Sequence, residues 1–132
     1  MSRHPLTPPD LADFDRLARE ALARLPEHLA CHVADVPIRI EEFPDAETEA
    51  EMELESPFDL LGLYRGVSLD RKSVSDAPHD VDMIFLYRRP ILDYWSESGE
   101  DLYHVIRHVL IHEIGHHFGL SDEEMERIEA EA

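Results

Sequence analysis

Three observations predict an α+β domain. An amphipathic helix opens the chain, three short strand-like segments follow, and a long, almost wholly apolar helix lies near the end. At 132 residues the chain fits a single domain, 1–132, able to bury a modest core without disulfide staples. Three short strands do not stand unsupported. The small sheet, of about three strands or slightly more, is therefore expected to pack on both long helices.

The elements follow in order. Thr7-Pro8-Pro9-Asp10 reads as a helix start, with Thr7 as N-cap and proline in the first turn. Leu11, Phe14, Ala18, Ala21, Leu22 and Leu25 then recur at helical spacing until Pro26 ends the element. From Val36 to Phe43 the residues alternate, with Ile38 and Ile40 on one face and Arg39 and Glu41 on the other, as in a half-buried strand. Residues 41–55 hold eight acids and Pro44 without periodicity, which predicts a loop. Leu60 to Gly66 is a short strand between glycines, and 66–80 a polar loop. Met83 to Tyr87 is uninterrupted apolar sequence, hence a central strand, with Pro90 as its stop. Ile91 to Trp95 has no clear form, and Ser96–Glu100 reads as a turn.

The final helix is the most informative. Leu102 to Phe118 contains no proline and, as its only glycine, Gly115. Leu102, Val105, Ile106, Val109 and Leu110 cover one side and Ile111, Ile114 and Phe118 the other, so the helix is expected to be buried. Asp101 or Ser98 can cap its start, and Gly119 can stop it by adopting positive φ.

On this helix stands His112-Glu113-Ile114-Gly115-His116, an H-E-x-x-H run. With His112 at 0°, His116 falls at about 40° and Glu113 at about 100°, so all three share one face. Two imidazoles one turn apart can bind a single zinc ion, and the carboxylate between them can serve as general base. Satisfied ligands also make polar groups tolerable on a buried helix. A catalytic zinc has three protein ligands. With sixteen residues after His116, the third is expected close by in sequence and not on a distant helix. Asp122, six residues past His116 and beyond the Gly119 turn, is the expected ligand, with Glu123 and Glu126 as substitutes. Asp122 has a rival role, because Ser121-Asp122-Glu123-Glu124 also reads as a capping box for a last helix. His117 points away at about 140°, and His104 and His108 rotate progressively off the ligand face, which leaves His108 an orienting role as its alternative.

Composition narrows the function further. Cys31 is the single cysteine, so no intrachain disulfide forms, which fits a reducing compartment. No apolar h-region opens the chain and no apolar run suits a membrane span, so a cytoplasmic protein without a membrane partner is expected. A net charge of −18 repels phosphate backbones and argues against nucleic acid as partner.

On these residues the chain resembles a zincin, and more narrowly the small bacterial zincin-like metallopeptidases. The resembling segments are Leu60–Arg71 (LLGLYRGVSLDR), Met83–Tyr94 (MIFLYRRPILDY) and Val105–Asp122 (VIRHVLIHEIGHHFGLSD), the last being the most specific. The resemblance implies a minimal zincin-like fold and a zinc-dependent peptidase acting on a peptide or protein substrate. His112, His116 and Asp122 would be the zinc ligands and Glu113 the base that works with a zinc-activated water. The chain departs from the metzincin pattern in carrying Asp122 where most have histidine, and in having no room for a Met-turn, since Met125 follows only three residues later. Two other readings stay open. One is a catalytically idle, zinc-containing binding module. The other is a metal hydrolase of a non-peptide substrate, against which the charge and Glu113 both count.

Overall fold

The computed structural model describes residues 7–66 and 82–131. Helix α1 (Leu11–Ala23) begins later than its prolines suggest, because Asp10, not Thr7, is the N-cap: its carboxylate accepts from the Asp13 N–H at 2.9 Å, and Asp13 returns the bond to the Asp10 N–H. Reciprocal capping satisfies two donors that a first turn leaves unpaired. Its apolar stripe of Phe14, Ala18 and Ala21 is buried. Pro26 ends this element and caps a short second helix, α2 (Glu27–Val33), which lends Leu29 and Val33 to the core.

Strand β1 (Ile38–Glu41) follows. Residues 41–55 are not a loop throughout: helix α3 (Ala46–Glu51) forms within them, started by the Asp45 carboxylate, which accepts from the Thr48 N–H at 2.8 Å. A cap and good helix formers suffice for six residues even without an apolar stripe. After a 3₁₀ turn at Pro57–Asp59 come β2 (Gly62–Arg65) and β3 (Met83–Tyr87). The polar loop expected over 66–80 falls, beyond Gly66, outside the described residues.

The sheet has the order β1-β3-β2. β3 is central as its apolar run predicts, parallel to β1 (Ile38 opposite Ile84) and antiparallel to β2 (Tyr64 opposite Ile84). Ile84 and Leu86 are fully buried on its helix-facing side. Pro90 does not merely stop β3. It sits in the first turn of α4 (Arg88–Ser98), where a missing N–H costs no hydrogen bond, so the segment of uncertain form and most of the expected turn are helical up to Gly99.

Helix α5 (Leu102–His117) is the axis of the molecule. Nine of its residues are buried, and it packs on α1, α4, β2 and the last helix. Phe118 departs from the expected core: it lies just past the helix end and is exposed, stacked on His32 with ring centroids 4.7 Å apart. Gly119 takes φ 77°, a left-handed conformation costly for other residues, and reverses the chain. Ser121 then caps α6 (Asp122–Ala130) in a reciprocal box with Glu124. The result is an α+β fold of six helices and a three-stranded mixed sheet among the described residues. None of these helices is long and apolar enough to cross a membrane.

Candidate metal centre

The site is built by α5 and α6 running back along each other. Gly115, inside the H-E-x-x-H run, is what lets them approach. A Cβ there would stand 2.5 Å from Sδ and 2.8 Å from Cγ of Met125, whose side chain is fully buried. No Met-turn is needed for a methionine to lie beneath the motif, because α6 itself carries Met125 there. Gly115→Ala is expected to destabilise the fold by about 1–3 kcal/mol, the overpacking cost exceeding the helix-propensity gain of about 1 kcal/mol, as read from urea unfolding midpoints.

The same hairpin brings Glu129 onto the motif. Its carboxylate lies between two histidines, with Oε2 2.7 Å from Nε2 of His112 and Oε1 2.7 Å from Nδ1 of His108. For both contacts to be hydrogen bonds, His108 carries its proton on Nδ1 and His112 on Nε2. The two rings sit 4.1 Å apart. Burial pushes the Glu129 carboxyl upward, but the bonds to His108 and His112 outweigh it and hold the group below the usual glutamate value.

Glu113, one residue from His112, is tuned the opposite way. Its half-buried position raises its pKa, and this wins over the Tyr64 backbone N–H and the nearby His116, both of which favour the charged form. His116 is exposed, one turn on, its ring 5.8 Å from that of His112 and nearly perpendicular to it. His117 does turn away from the pair: it stacks on Tyr64 at 3.9 Å, while the Tyr64 hydroxyl donates to Asp82 at 2.9 Å.

His112, Glu113 and His116 therefore occupy one helix face as their spacing requires. Among the described residues, however, the ligand atoms that converge, all within 4.8 Å of one another, belong to His108, His112 and Glu129. Asp122 is at the opposite end of α6 from Glu129, exposed in the capped first turn. Sequence reasoning passed over Glu129 because it discounted a glutamate on a second helix. A signal was available: Met125 and Ile128 mark the buried face of α6, and Glu129 flanks it. His112 lies about 10 Å of helix before the Gly119 turn and Glu129 about 12 Å after Ser121, so an antiparallel return brings them level.

The donor set suits zinc. Imidazole nitrogens and an ionised carboxylate are borderline ligands that zinc accepts, and the paired histidine and glutamate are already on one surface. An H-E-x-x-H helix beside a small sheet, with a carboxylate of the next helix against its first histidine, makes a candidate metal centre. The family model described as zincin-like metallopeptidase matches residues 33–132, and the chain belongs to that family. None of the curated proteins matches it.

Proposed function

We propose that the protein is a zinc metallopeptidase in which His112 and His116 bind the metal and Glu113 is the general base. The observation that carries this reading is geometric: the H-E-x-x-H face of α5 meets a carboxylate of α6, with Glu129 Oε2 2.7 Å from Nε2 of His112. The bonds from His108 and His112 move Glu129 toward its ionised form, the form a ligand takes. Burial moves Glu113 upward, the direction that suits a general base. For the third ligand, Asp122 and Glu129 both offer a carboxylate, and the 2.7 Å approach to His112 favours Glu129. His108 then holds the other oxygen of Glu129.

Bound zinc would supply a Lewis acid that polarises a carbonyl and lowers the pKa of water. Glu113 accepts the proton of the attacking water and delivers it to the leaving amine. The Tyr64 backbone N–H, on β2, donates to this carboxyl. The substrate backbone can add to β2, since β3 is enclosed by strands on both sides and β2, among the described residues, is an edge.

The test is digestion of a mixed peptide library by zinc-loaded wild type and Glu113→Gln. Cleavage by the wild type is expected, with a loss of at least about 100-fold in the variant, while zinc stays at one ion per chain. No cleavage by either, with zinc bound, would indicate the idle binding module. Undiminished cleavage by the variant would remove Glu113 as base.

A further inference from the structure

We propose that Arg107 is a positioning residue for the metal-binding carboxylate, an inference that rests on the reading above that Glu129 is a ligand. Glu129 has an awkward address for such a task. It is the second-last residue of α6, and terminal helical turns fray. A ligand on a fraying turn is ordered afresh each time the metal binds, at a cost in affinity.

Arg107 answers that difficulty. It lies on α5 immediately before His108, and only 4% of it is exposed. Burying a guanidinium is costly, and a long apolar side chain would fill the same space without that cost. The guanidinium instead spans two backbone carbonyls of α6, donating from one nitrogen to the Glu129 oxygen and from the other to the Ile128 oxygen, both at 2.8 Å. These carbonyls lie in the last turn, where helix acceptors are left over and the dipole is negative, so a cation is well matched there. The fork is planar and holds two acceptors in a fixed geometry, which the freely rotating ammonium of a lysine does not impose.

Three contacts from one helix thus locate one residue of the other. Arg107 grips the Glu129 backbone, His108 grips Oε1, and Oε2 is left at His112. The first of these is remote from the reacting atoms and acts only through Glu129. Supporting partners of this kind typically change metal affinity 10–100-fold, about the effect expected here.

The test measures zinc affinity of the full chain by competition with a chromophoric chelator. It compares wild type, Arg107→Met, Arg107→Lys, Glu129→Gln and the Met/Gln double variant, with folding checked by circular dichroism. Arg107→Met is expected to weaken zinc binding about 10–100-fold, with partial recovery in Arg107→Lys. The double variant should bind no more weakly than Glu129→Gln alone, because a clamp that works through Glu129 has nothing left to position. Wild-type affinity in folded Arg107→Met, or fully additive losses in the double variant, would overturn the proposal. So would failure of both Arg107 variants to fold, which makes the residue a core element and no more. Wild-type affinity in Glu129→Gln is a different outcome: it refutes Glu129 as ligand, and the positioning role of Arg107 falls with it.

Discussion

Glu129→Ala is expected to cost the protein more than about 100-fold in zinc affinity, beyond the range typical of residues that only support a ligand. The variant loses a carboxylate that sits 2.7 Å from His112 and from His108. It also leaves two imidazoles without their shared acceptor. Asp122→Ala is expected to change zinc affinity by no more than about twofold and to lower stability by about 0.3–1 kcal/mol, the worth of a first-turn acid at a helix N-terminus. Isothermal titration of the two variants with zinc decides between the two ends of α6. The reverse result, with Asp122→Ala unable to bind and Glu129→Ala unaffected, would return the third ligand to Asp122. The first turn of α6 would then have to open, breaking the Ser121–Glu124 box at a cost of about 1 kcal/mol.

Glu113→Gln should stabilise the chelator-treated protein at neutral pH. The reason is the sign of the Glu113 shift. Burial raises its folded pKa above the unfolded value, so between the two values the native state binds more protons than the unfolded one. Stability from this group is therefore complete below the unfolded pKa and is lost as pH rises through the folded pKa. Glutamine cannot ionise and escapes that loss. Thermal melts from pH 4 to pH 8 should show a difference near zero at the acid end that grows with pH in favour of the variant. A variant equally or less stable at pH 8 would mean that the ionised carboxylate is fully satisfied where it lies. Such a gain in stability is expected wherever a fold holds a charge in a place that burial disfavours.

Glu129 has the opposite linkage. Its lowered pKa contributes stability above the unfolded glutamate value, and that stability is lost as pH falls through the folded one. One carboxylate of this region thus has its charge favoured by its neighbours, and another has its charge disfavoured by burial.

The sequence alone determined the features that depend on near neighbours. Helical spacing placed His112, Glu113 and His116 on one face of α5, and the apolar run at Met83–Tyr87 marked the central strand. Gly119 and the Ser121–Glu124 box punctuated the turn and the last helix because caps are local chemistry. Where a local rule had two solutions, reading from sequence went astray: Asp10 outcompeted Thr7 as cap, α3 formed without an apolar stripe, and Pro90 opened a helix instead of only closing a strand. Only the tertiary structure decided which carboxylate meets the histidines. That choice depends on how closely and at what register α6 lies on α5, set by the missing side chain of Gly115 under Met125 and by the grip of Arg107 on the far end. Residues brought together by the packing of two helices have no period in the chain, so their meeting is written in the shapes of the packed surfaces and not in spacing.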